Sequence, residues 1–116
     1  MLFSLLRSDR LVRWLLVAGI ALNVLFFAYV YLVYSGLPSR LALHWNAQAE
    51  IDRIGEPGEL LRLPLFALII LLANAAIGLW AYRRERAVTL FLLAGAVATQ
   101  VVFWAGALSI VLRASA

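Results

Sequence analysis

Three long stretches without a charged residue constrain this chain more than any other feature: Trp14–Tyr34, Leu63–Tyr82 and Ala87–Leu112. A helix of about 20 residues covers the ~30 Å hydrocarbon core of a bilayer, and each stretch meets that length. Composition agrees. The 116 residues are 66% hydrophobic and 14% charged, whereas a soluble domain is roughly half apolar and about one quarter charged. A water-exposed sphere this small could not hide so much apolar side chain. The chain therefore reads as an all-α membrane protein with three transmembrane helices.

The segments between the spans complete the division. Residues 1–13 form a basic flank, 14–34 the first span, 35–62 a long connection, 63–82 the second span, 83–86 a tight turn, 87–112 the third span and 113–116 a tail. The first span is too long for the apolar region of a cleaved signal peptide, which runs about 7–15 residues. It reads as an uncleaved signal anchor. Pro64 stands at the start of the second span, where a missing N–H costs least. Trp80 and Tyr82 mark its exit interface, and the 83–86 turn makes spans two and three an antiparallel hairpin.

All ten basic residues are arginine, and the net charge is +4. In a soluble domain such a balance points to nucleic acid; here the arginines flank apolar runs, so nucleic-acid binding is set aside. Arg7, Arg10, Arg13, Arg83, Arg84 and Arg86 fall on one side, and Arg40, Arg53, Arg62 and Arg113 on the other. The positive-inside rule then places the N-terminus in the cytoplasm and the C-terminus outside. Leu2, Phe3, Leu5 and Leu6 could lie in the interface with Arg7 and Arg10 toward headgroups, as an amphipathic anchor. The plainer reading is the basic flank of a signal anchor.

Inside the spans the polar residues include one amide each: Asn23, Asn74 and Gln100. Each lies near the middle of its run, so the expectation is that all three share the bilayer midplane and bond one another. Such bonds contribute about 0.6 kcal/mol on average in membranes. They would clip the helices together, or else recognise a polar headgroup, a quinone-like ligand or a neighbouring subunit. Small residues spaced by four, such as Ala94–Ala98, Gly95–Thr99, Asn74–Gly78 and Ala105–Ser109, allow close helix approach within the bundle or with a partner. No span carries an ionisable group of the kind that pumps and proton relays use.

The 35–62 connection is too long for a simple link and too apolar for disorder. Leu41, Leu43 and Trp45 alternate as in a short strand, and Glu56-Pro57-Gly58 reads as a turn. An ordered extracytoplasmic cap, apolar side chains toward the membrane, is predicted. His44 is the chain's single histidine. One histidine is a poor metal site, since about three protein ligands are expected, and it lies too near the surface for an axial pigment ligand. It reads as a hydrogen-bonding residue that pins the cap. With no cysteine, nucleophile–base pair or phosphate loop, the residues predict neither an enzyme nor a cofactor. Any bound lipid or pigment would come through partners.

Pro38, His44-Trp45-Asn46, Asp52-Arg53-Ile54-Gly55 and Pro64 at the head of a span resemble a small bacterial membrane domain of unknown function. Its pattern is Pro, a few apolar residues, His-aromatic-Asn, a Gly, then Asp and Gly, with a span on each side. The same domain forms the front part of SdpI-type immunity and signal-transducing membrane proteins. Here Ala49 stands where the pattern has Gly. The resemblance implies a bacterial cytoplasmic membrane location. Spans without ionisable or catalytic groups and with small-residue faces lead to one expected function, a small accessory subunit of a respiratory or photosynthetic membrane complex; the resemblance leads to another, an SdpI-like sensor or immunity protein whose cap binds an envelope ligand.

Overall fold

Asp9 interrupts the first helical run. Its backbone is extended and its carboxylate accepts a hydrogen bond from the Val12 N–H at 3.3 Å, the usual action of an N-cap aspartate. A short helix α1 (Leu2–Ser8) therefore ends there and α2 (Arg10–Val33) begins. The computed structural model describes residues 2–48 and 50–115, without the side chains of Leu41, His44, Asp52, Arg53 and Ser115. After α2 comes a 3₁₀ turn, Tyr34–Gly36, then a hairpin of β1 (Leu41–Trp45) and β2 (Ile51–Gly55). A second 3₁₀ turn, Pro57–Leu61, leads into α3 (Arg62–Ala81), and α4 (Arg86–Ser115) completes the fold. Leu37 precedes Pro38 and is extended, as the proline ring demands, so the first helical run cannot continue into the cap.

Three helices are long and apolar enough to cross a membrane, and only 22% of the apolar window of each is buried in the bundle. A three-helix layer cannot cover its own outer faces, and Phe91 at 78% and Leu32 at 75% exposure are typical of what remains. The longest dimension, 48 Å, is that of a bilayer with its interfaces, about 40–45 Å. The fold is that of a multi-pass membrane protein.

Each helix buries one stripe. On α2 it is Val12, Gly19, Asn23, Phe26 and Val30; on α3, Pro64, Ala67, Leu71, Gly78 and Ala81. On α4 it is Thr89, Leu93, Ala96, Gln100, Ala107 and Ile110. These spacings of three, four and seven form the seam on which helices pack side by side. Small residues bring the backbones close. A Cβ on Gly78 would lie 3.5 Å from the Thr89 Cα, and one on Gly19 would lie 2.9 Å from the Leu71 Cδ1.

The cap departs from a purely helical chain. β1 pairs antiparallel with β2, with Leu41 opposite Gly55 and Trp45 opposite Ile51, and the register slips by one residue at Leu43 and again at Asp52. Leu37, Leu43, Trp45, Leu60 and Leu61 pack onto the core formed by Phe26, Val30, Ala107 and Ile110. This apolar face is turned toward the bundle. Ile51 and Ile54 do not follow it, and both remain 54% exposed. The extra residue at Asp52 puts these two isoleucines on one side of β2, where strict alternation would have opposed them.

Candidate functional site

The polar groups of the bundle gather at two levels. Toward the cap, Asn23 Nδ2 donates to Gln100 Oε1 at 3.1 Å and to the Pro64 carbonyl at 3.0 Å. Gln100 Nε2 donates to the Ala67 carbonyl at 2.9 Å. Two amides and two backbone carbonyls thus tie α2, α3 and α4 together in a buried cluster. Trp104 reinforces it: its indole N–H donates to the Leu22 carbonyl at 2.9 Å, and its ring stacks on Phe26 at 5.0 Å. Asn74 stands apart and donates to the Leu92 carbonyl at 2.9 Å.

This corrects the expectation that three amides meet at one depth. The α3–α4 turn sets an antiparallel register in which Thr89 bonds Gly78, Leu92 bonds Asn74 and Gln100 bonds Ala67. Asn74 is therefore seven residues, about 10 Å, along α3 from the Gln100 level. Its nearest small neighbour is Gly95, where a Cβ would lie 3.8 Å from Asn74 Nδ2.

At the turn end the structure builds a charged site around Asp9. Asp9, 7% exposed, accepts from Arg86 Nε at 2.7 Å, Arg86 Nη2 at 3.1 Å and the Tyr82 hydroxyl at 2.6 Å. The Arg86 guanidinium, then the Tyr82 hydroxyl, hold its carboxyl well below the ordinary carboxylate value of 3.8. The same contact pushes the Tyr82 phenol up. A fork of two N–H donors on one carboxylate is a strong, directional pairing. It joins the α1–α2 break to the head of α4. Arg86, one of the six arginines expected on the cytoplasmic side, is paired with Asp9 and stays half exposed. Tyr82, read as an interfacial aromatic, is its hydrogen-bond partner. The helix-start signal, an aspartate just before an apolar run, was present in the sequence.

Other arginines gather at this end. Arg7, Arg10 and Arg83 are exposed. Arg13 lies over Trp14 at 5.6 Å and Arg84 over Trp80 at 5.1 Å, so cations and aromatic rings share the boundary layer. In α1, Leu5 is buried while Phe3 is exposed.

In the cap, the motif positions have physical roles. Asn46 Oδ1 accepts from the Gln48 N–H at 3.0 Å and the Glu50 N–H at 2.9 Å, closing the hairpin. A side-chain carbonyl here imitates a backbone turn. Gly55 leaves room for its neighbours, because a Cβ there would lie 2.6 Å from Leu43 Cδ1. Pro64 is buried in the first turn of α3 and lends its carbonyl to Asn23. Pro38 is exposed and lines a groove. His44 and Asp52 have backbone positions in β1 and β2, but their side chains lie outside the described residues, as does all of Ala49. Among the described residues no three metal-ligating side chains come together.

Helices long and apolar enough to span a membrane, a strand-built cap and an amide clasp beneath it define a small polytopic protein; among the described residues, its buried side-chain polar atoms all have hydrogen-bond partners. A family model, a domain of unknown function (DUF1648), matches residues 21–68. The match runs from the middle of α2 through the cap into α3, so it takes in Asn23 and Pro64 of the clasp but not Gln100, Asp9 or Arg86. No curated protein and no solved structure matches the chain.

Proposed function

We propose that this chain is a non-enzymatic integral membrane protein that serves as an accessory subunit of a larger bacterial membrane complex, of the respiratory or photosynthetic kind. Its N-terminus lies in the cytoplasm and its cap outside. The observation that carries the reading is the outer face of α4. Ala94, Ala98 and Ala105 are exposed there, so another helix can approach its backbone closely. The amides, by contrast, are spent on holding this chain's own helices. Purification from native membranes in mild detergent, followed by mass spectrometry, tests it. The proposal expects fixed-stoichiometry partners that cross-link to a cysteine placed at Ala98. A chain that stays alone and forms no such cross-link contradicts it.

A second reading, a sensor or immunity protein of SdpI type, is favoured by the grooves beside the cap. There the cap binds an envelope ligand. It expects His44→Ala or Asp52→Ala to change the response of cells to that ligand at unchanged protein level. Loss of the protein itself would make the cap purely structural.

A further inference from the structure

The cap end of α4 carries a feature that neither the clasp nor the helix packing uses. A groove of about 350 Å³ lies between the hairpin and α4, walled by Ala42, Ile51, Ile54 and Ile110, with Arg40 and Arg113 at its edge. Arg113 lies 4.3 Å over the Trp45 ring. On the other side of that pair is a second groove, about 460 Å³, formed with Leu43, Leu63 and Gly106. Thus one cation-bearing partition divides two largely apolar channels at the end of a membrane-spanning helix.

The chemistry of the walls selects an occupant. Neither Arg40 nor Arg113 has a carboxylate partner among the described residues, and no described carboxylate lines either groove. Ile51 and Ile54 are half exposed beside these cations, where an extracytoplasmic hairpin would ordinarily show polar groups. Leu112, 65% exposed, continues the lipid-facing surface of α4 up to this level. A ligand that satisfies all of this has an anionic head and two apolar tails, and reaches the site from the bilayer.

We propose that this paired groove seats one anionic phospholipid from the leaflet on the cap side, its phosphate between Arg40 and Arg113 and its chains on either side of Trp45. The inference goes beyond the subunit reading and does not depend on it. A lipid so held would fix the hairpin on the bundle and present the cap surface in one orientation.

Native mass spectrometry of the full chain in detergent, titrated with phosphatidylglycerol or phosphatidylcholine, tests it. Wild type should hold one phosphatidylglycerol more tightly than phosphatidylcholine. Arg40→Gln and Arg113→Gln should each weaken that lipid about fivefold, from the contribution of one arginine near an anionic surface. The Arg10→Gln/Arg83→Gln pair at the opposite end should leave this site intact. Arg40 is exposed, so Arg40→Gln decides the matter even if Arg113→Gln loosens the cap. Backbone amides of 51–55 should exchange more slowly with phosphatidylglycerol bound. Unchanged lipid affinity in Arg40→Gln overturns the proposal. So does displacement of the lipid by excess inorganic phosphate, which would mark a site for the free anion, or slowed exchange of 51–55 by an acidic peptide but not by lipid.

Discussion

Two levels of the bundle are fastened by different chemistry. At the turn end the fastener is charged: Asp9 on Arg86 and Tyr82. Toward the cap it is neutral: Asn23, Gln100 and two backbone carbonyls, with Trp104 beside them. The difference follows depth. Asp9 sits at the break between α1 and α2, level with the polar turn, where Arg86 remains half exposed and keeps part of its hydration. A carboxylate moved inward to the Gln100 level would lose that hydration for little gain. Amides carry no net charge, so their bonds survive in hydrocarbon at modest strength.

Removing the charged fastener should have the largest effect. Asp9→Ala loses a helix cap and all three of these side-chain hydrogen bonds, and should destabilise the bundle by about 2 kcal/mol in a detergent unfolding titration. The same site predicts a pH profile. Because the Asp9 carboxyl is lowered in the fold, its stabilisation is complete above about pH 4 and is lost as pH falls below the ordinary value of 3.8. Asp9→Asn should flatten that acid limb. An unaltered limb would mean that the pairing contributes nothing in detergent.

Gly55→Ala comes next. Its Cβ would meet the ends of the Glu59 and Leu43 side chains, so these should move aside at a cost of about 1 kcal/mol, accelerating amide exchange in β1 and β2 while α3 and α4 stay protected. Gln100→Leu should cost about 1 kcal/mol, since it breaks the clasp at both of its bonds. Asn74→Leu should cost least, about half a kcal/mol, because one bond to one neighbouring helix is lost. If Asn74→Leu proves the more damaging of these two, the assignment of depths is wrong.

Hydropathy made the three spans legible, and the alternation of Leu41, Leu43 and Trp45 made β1 legible. β2 was hidden because Ile51-Asp52-Arg53-Ile54 does not alternate; the slip at Asp52 restores a common face that the bare pattern conceals. The amide levels depart from the run midpoints for a different reason: depth in a helical hairpin is fixed by the turn, and counting outward from the tight turn brings Gln100 opposite Ala67. Asp9 carries a local N-cap signal, an aspartate just ahead of a helical stretch, but that signal says nothing of a charged site. Its partners Tyr82 and Arg86 lie more than 70 residues away in sequence, and nothing local announces such a contact. Within the motif, the turn-closing role of Asn46 and the space required at Gly55 became visible only with the hairpin register.

The most direct test of a neutral clasp set apart from Asn74 is a double-mutant cycle. Unfolding free energies of Asn23→Ala, Gln100→Ala and their combination should reveal a coupling of about 0.6 kcal/mol, and the parallel cycle of Asn74→Ala with Gln100→Ala should reveal none. A coupling between Asn74 and Gln100, with additivity between Asn23 and Gln100, would contradict the account.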